Sequence, residues 1–315
     1  MPFTRFSLTE VLFHLQAEED FTLPSYKGSM LRGAFGYAFR RAVCIARQQK
    51  ECRGCILAAN CAYSYIFETP RPASSRIMRK YEKVPHPFIL RPPAGNGRII
   101  EAGDKIIFGL VLVGKARDFL PYFVLTIQEL AARGLGRERG RCRLTGVFDA
   151  AGRQIYAPGC EELAPAEIRT GAEITAAAGP APERLSMIFE TPLRLVYNRR
   201  IVRDQLTFQI VLRSLLRRLA LLQQFHCDLA PEIDFRGLID RAAKIETIAD
   251  ETRWRELRRY STRQRKTIST SGLTGALTFA GDFAEFWPLL QLGTYVNLGK
   301  NTSFGLGRYQ LETEK

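Results

Sequence analysis

Two stretches decide the reading of the fold: Gly134-Leu135-Gly136-Arg137-Glu138-Arg139-Gly140-Arg141 and Gly299-Lys300-Asn301-Thr302-Ser303-Phe304-Gly305-Leu306-Gly307-Arg308. Each follows a run with helical spacing of apolar residues and leads into a run of strand character. Neither follows a strand and opens a helix, so neither is a dinucleotide-binding fingerprint. The same ordering of helix, glycine-rich basic loop and strand at the end of both halves points to an internal duplication.

Working outward, Val11, Phe13 and Leu15 alternate with polar neighbours, the period of a strand, and 27–47 changes to helical spacing after the turn Leu23-Pro24-Ser25. Residues 105–113 (KIIFGLVLV) are apolar on both faces and predict a central strand, followed by a helix over 119–133 and a strand over 141–148. The order recurs with a strand over 184–195 and a helix over 205–225 striped by Leu212, Leu215, Leu216, Leu219 and Leu222. A strand over 273–279, a short helix over 282–292 and a strand over 303–311 complete it. The fold class is therefore α+β: two tandem ferredoxin-like modules of the kind that RNA-recognition domains share, with a cysteine-rich insertion in the first. The domain boundaries read as 1–156 and 184–315. Between them 157–183, rich in Ala, Pro and Glu, reads as a linker or irregular segment.

Forty-six Lys and Arg against 32 Asp and Glu give the 315-residue chain a net charge of +14, which favours a polyanionic partner. No long uncharged apolar run spans a membrane, and the N-terminus lacks the basic-then-apolar order of a signal peptide, so a cytoplasmic location is expected. In the two loops, glycines allow positive φ and close backbone approach, and the basic residues suit phosphates. The expected RNA-binding set is Gly134, Gly136, Arg137, Arg139, Arg141, Gly299, Lys300, Phe304, Gly305, Gly307 and Arg308. The segment around Arg258, Arg259, Tyr260 and Arg263 joins it, because it interleaves arginine with aromatic side chains that stack on bases.

Cys44, Cys52, Cys55 and Cys61 form C-x₇-C-x₂-C-x₅-C directly after the first helix. A C-x₂-C pair lets two thiolates reach one ion, and two further cysteines complete a tetrahedral set. A structural zinc ion or an iron–sulfur cluster is expected there, with free half-buried thiols as the plain alternative. Cys142, Cys160 and Cys227 are scattered and read as structural.

The segments Thr191-Pro192-Leu193-Arg194, Leu216-Arg217-Arg218-Leu219, Arg259-Tyr260-Ser261 with Arg263-Gln264, and above all 298–309 resemble the CRISPR precursor-RNA-processing endoribonucleases of the RAMP superfamily. Pro24-Ser25-Tyr26-Lys27-Gly28-Ser29 with Leu31-Arg32-Gly33-Ala34-Phe35-Gly36 extends the likeness to the N-terminal half. The resemblance implies binding and metal-independent cleavage of CRISPR-repeat RNA by the 2′-hydroxyl, without a catalytic cofactor. It also leaves room for a non-catalytic subunit working with other CRISPR effector subunits. Many such enzymes carry a histidine in or just after the first helix. Here His14, His86 and His226 are the only histidines, none within 27–47, and Val296-Asn297 stands where relatives often have Val-His. The expected catalytic residues are accordingly Tyr37 and Lys27, supported by Arg40 and Arg41, together with His86 in the proline-braced loop Val84-Pro85-His86-Pro87. A metal-stabilised interaction protein without an RNA role is the reading from another class.

Overall fold

The computed structural model describes residues 2–49, 51–72, 75, 77–78, 83–93, 95, 97–261 and 265–313. The chain forms two compact units: Leu8–Ile168 with Phe225–Cys227, and Met1–Ser7 with Arg169–Gln224 and Asp228–Lys315.

In the first unit β1 (Ser7–Ala17) leads to α1 (Lys27–Val43), β2 (Phe88–Arg91), β3 (Lys105–Val113), α2 (Leu120–Arg133), β4 (Cys142–Asp149) and the short β5 (Gln154–Tyr156). The antiparallel sheet runs β2-β3-β1-β4-β5, with Phe13 opposite both Phe108 and Val147. That order is the ferredoxin-like one: the first strand lies inside and the last returns beside it. The alternation read at Val11, Phe13 and Leu15 is the core face of β1, where all three are buried. Helices α1 and α2 cover that face through an aromatic cluster in which Phe35 stacks on Phe123 at 5.0 Å and Phe39 meets it edge-on at 5.4 Å. Helix α1 stops at Val43, short of the expected 47, where Cys44 turns extended while its N–H still bonds the Arg40 carbonyl.

The second unit opens with α3 (Gly171–Ala177). It continues with β6 (Arg184–Leu193), the ribbon β7 (Val196–Tyr197) and β8 (Arg200–Ile201), α4 (Phe208–His226) and α5 (Phe235–Ala242). Then come β9 (Glu246–Asp250), β10 (Arg253–Arg255), the hairpin β11 (Arg258–Ser261) and β12 (Lys266–Ser269), β13 (Gly272–Ala280), α6 (Trp287–Val296) and β14 (Tyr309–Thr313). Its sheet runs β9-β13-β6-β14, the ferredoxin-like order again, with β10 extending β13's edge. The leucine stripe of α4 is wholly buried. The two modules expected from sequence are thus present.

Two local expectations are corrected. Residues 157–183 are not structureless: α3 lies within them and starts with a capping box, in which Thr170 Oγ1 accepts from the Glu173 N–H and the Glu173 carboxylate accepts from the Thr170 N–H. The signal was Thr170-x-x-Glu173, hidden in an alanine-rich setting that reads as low complexity. The final helix and strand fall later than expected, at 287–296 and 309–313. Pro288 suits a first turn, and the positive φ of Gly305 and Gly307 holds 303–308 in a turn rather than a strand.

Candidate nucleic-acid interface

The C-terminal glycine loop is held by a set of backbone hydrogen bonds. Asn297 leaves α6 at φ 59°, buried, with its side-chain amide donating to the Leu306 carbonyl at 3.1 Å. Leu298 N–H bonds the Gly307 carbonyl at 2.9 Å, Gly307 N–H bonds Pro192, and Lys300 N–H bonds Arg194. The Thr191 hydroxyl ties the far side, donating to the Gly305 carbonyl and accepting from the Arg308 N–H. Gly307, at φ 70°, is required: a Cβ there would sit 1.8 Å from the Leu298 carbonyl oxygen. Close packing therefore explains the glycines as much as ligand approach does.

Of the expected contact residues here, Lys300 is exposed, Phe304 half-buried, and Gly305 and Gly307 buried. Arg308 forms an ion pair with Glu190 at 2.7 Å, so its charge is already compensated. Arg259 of β11 lays its guanidinium 4.6 Å from the centre of the Phe304 ring. That contact joins the arginine-aromatic hairpin to the glycine loop, with Arg258 and Tyr260 exposed beside it. Burial pulls the Arg259 guanidinium below its ordinary range. Arg263 lies outside the described residues.

Sequence reasoning missed the support beneath the loop. Arg218 of α4 is buried and donates Nε to the Val296 carbonyl at 2.8 Å, at the negative end of α6. Burial lowers it to about 9, so it stays charged at neutral pH. Its Nη2 and the Oδ1 of Asn297 are buried without a hydrogen-bond partner. A buried cation held by a helix terminus leaves no sequence signature, since arginine on a helix ordinarily points to water.

The N-terminal loop is a tight turn, with Leu135 and Gly140 exchanging backbone hydrogen bonds of 2.8 and 2.9 Å. Gly134 has φ 96°, and a Cβ on it would meet the Arg139 carbonyl at 2.0 Å; Gly136 lies against Thr22. Arg137 and Arg139 are exposed. Arg141 is paired with Glu19, donating Nε at 2.6 Å, and that hydrogen bond holds the Glu19 carboxyl below its usual range.

The expected catalytic residues occupy different environments. Tyr37 is 69% exposed on α1, whereas Lys27, the first residue of the same helix, is 2% exposed and donates Nζ to the Gly95 carbonyl at 2.7 Å. His86 is half-buried, its Nδ1 bonded to the Thr69 hydroxyl at 2.6 Å and its ring stacked near Phe88. His226 is buried, linking the Tyr65 hydroxyl and the Pro85 carbonyl. His14 lies on Phe148, with burial and then Lys105 lowering its pKa.

Cys44, Cys52, Cys55 and Cys61 all line one cavity of about 370 Å³, and Cys55 N–H bonds the Cys52 carbonyl in the C-x₂-C turn. Among the described residues no three His, Cys, Asp or Glu side chains close on a common point at metal-binding distance. Burial, followed by the Glu68 charge, pushes the Cys52 thiol up. No helix among the described residues is long and apolar enough to cross a membrane.

Two ferredoxin-like modules, the second ending in a backbone-bonded glycine loop with basic and aromatic side chains at its rim, define an α+β architecture of the RNA-recognition type. Residues 187–309 match the family model described as CRISPR-associated endoribonuclease Cas6, and residues 4–168 match a model described as an N-terminal domain. The second unit is thus similar to the Cas6-type CRISPR-associated endoribonucleases. Similar solved structures include the Cas6 of Thermus thermophilus (17% identity, 98% of this chain and 99% of that chain, TM-score 0.56). Others are a Cas6 product complex (18%, 98% and 100%, TM-score 0.52) and a partial Cas6-RT-Cas1–Cas2 complex (14%, 99% and 47%, TM-score 0.61). This chain spans about half the length of that last one, 47%, and 29% of the chain in a second such complex. No curated protein sequence matches.

Proposed function

We propose that this protein binds precursor CRISPR RNA and cleaves it within the repeats. The observation that carries the reading is the Arg259–Phe304 contact, which sets a basic, aromatic hairpin against the glycine loop with Lys300 exposed at its rim, in a chain of net charge +14. The proposed reaction is attack of a ribose 2′-oxygen on its own 3′-phosphate. The P–O bond to the 5′-oxygen of the next nucleotide breaks, the 2′-hydroxyl proton passes to a base and a proton passes to the departing 5′-oxygen. The products are a 2′,3′-cyclic phosphate and a 5′-hydroxyl, and no oxidant or bound metal enters the balance. Helix α1 carries no carboxylate to hold magnesium, and its exposed Tyr37 and Arg41, the latter paired with Glu129 at 3.5 Å, are suited to a phosphate.

Labelled repeat RNA incubated with the pure protein in EDTA tests this. Cleavage leaving a cyclic phosphate is expected, abolished by a 2′-deoxy substitution at the cut site; cleavage of the deoxy substrate would overturn the reaction class. Tyr37→Phe is expected to slow the cut roughly 10²-fold or more with binding intact. The burial of Lys27 and the lack of a histidine on α1 favour, as a second reading, an RNA-binding subunit that does not cut, and binding without cleavage would select it. A zinc ion or iron–sulfur cluster at Cys44, Cys52, Cys55 and Cys61 remains a proposal, supported by the shared cavity and the C-x₂-C turn.

A further inference from the structure

The β7–β8 ribbon is a two-residue hairpin, Tyr197 pairing with Arg200 across Asn198 and Arg199. Both tip residues have positive φ, 47° and 62°. That is the turn whose second position strongly favours glycine, because a Cβ is crowded there. Here an exposed arginine occupies it. Gln205 adds a third non-glycine positive φ, 50°, within the same stretch. Strained backbone kept at exposed positions marks a segment retained for its side chains rather than for stability.

Those side chains form one surface. Arg199, Arg200 and Arg203 are exposed, and Arg203 lies 4.7 Å over Trp254, with Arg213 5.8 Å from Tyr197. The hairpin edges an open cavity of about 720 Å³ lined by Tyr197, Arg200, Arg203, Asp204 and Ile210. Two acids are close: Asp204 in the cavity wall, and Glu256, whose carboxylate is engaged by the Trp254 indole and the Ser271 hydroxyl. The hairpin also springs from the crossing that anchors the glycine loop. Val202 N–H closes its base on the Leu195 carbonyl, and the neighbouring Arg194 carbonyl holds the Lys300 N–H.

We infer that this hairpin and the cavity beneath it form a second phosphate-binding site that carries single-stranded RNA on from the glycine loop, with Arg199 and Arg200 on phosphates and Trp254 and Tyr197 offering aromatic faces. The inference rests on the RNA-binding reading above.

Its test is Arg199→Gly, which separates charge from conformation. Relief of the strained turn is expected to raise the melting temperature by about 2 °C. Loss of the cation is expected to weaken binding of a labelled single-stranded repeat RNA roughly 3- to 10-fold and to flatten the log K against log salt slope by about 0.7. Arg200→Ala, outside the strained positions, should weaken binding without the stability gain. Lys300→Ala is measured alongside. If the wild type binds RNA and Lys300→Ala weakens it while Arg199→Gly and Arg200→Ala bind normally, the second site is refuted and the glycine loop stands. If Arg199→Gly is less stable than wild type, the strain argument is refuted. No RNA binding by the wild type would refute the proposed function itself.

Discussion

Replacing Gly307 with alanine probes the tightest approach in the glycine loop. At φ 70° an alanine pays the left-handed penalty of about 1–2 kcal/mol. Its Cβ would stand 1.8 Å from the Leu298 carbonyl oxygen, so the backbone there must part by well over an ångström. That displacement endangers the Leu298-to-Gly307 and Gly307-to-Pro192 hydrogen bonds, each contributing about 1 kcal/mol. The expected loss is therefore about 3–4 kcal/mol. Gly179→Ala is the matched control: φ 68° in the same unit, with nothing within 4 Å of the added carbon, so only the conformational penalty of about 1–2 kcal/mol is expected. Both tryptophans, Trp254 and Trp287, lie in that unit, so urea unfolding followed by their fluorescence reports both variants. Equal destabilisation of the two would show that the loop yields freely and that its glycines are not held by close packing.

Three further outcomes are expected. Asp149 is buried, which pushes its carboxyl up, but the Arg153 side chain and the backbone N–H groups of Arg153 and Ala151 outweigh this and hold it below its usual range. With the folded value depressed, its contribution is present above the unfolded value near ~3.9 and is lost as pH falls through the folded one, so Asp149→Asn should flatten that acid limb of an unfolding titration. If the cysteine cluster holds metal, elemental analysis of reduced protein should find about one zinc, or iron with sulfide, per chain, and Cys52→Ser with Cys55→Ser should abolish it; a metal-free preparation would end that proposal. Arg218→Met should lower stability by about 1–3 kcal/mol in urea unfolding, because the Val296 carbonyl at the helix end loses its donor; a stability gain would show that relief of the cation's desolvation dominates.

The fold was legible because its strands and helices advertise their periods. Val11, Phe13 and Leu15 alternate, and the leucines of α4 repeat along one face that proves wholly buried. The strands 88–91 and 246–250 were not found: the first is short and buried except at Arg91, and the second is mostly exposed, so neither alternates. The glycine loops were visible as composition, but not the meeting of Arg259 with Phe304, which depends on a hairpin folding back between distant positions. Lys27 was read as an accessible cation, since lysine is rarely buried, yet its head group is spent on the Gly95 carbonyl. The β7–β8 hairpin escaped because Asn198 is followed by arginine where the recognisable signal would be glycine.

The way the two units share out the chain bears on how the protein is made. Residues up to Ser7 belong with a unit otherwise built from Arg169 onward, and Phe225–Cys227 belong with Leu8–Ile168. During synthesis the first unit emerges without the segment that carries His226, whose imidazole bonds Tyr65 and Pro85, and it cannot be completed until α4 has left the ribosome. The opening residues meanwhile wait for a unit that does not yet exist. A break between Ile168 and Arg169 would accordingly yield two fragments that each lack a piece held by the other.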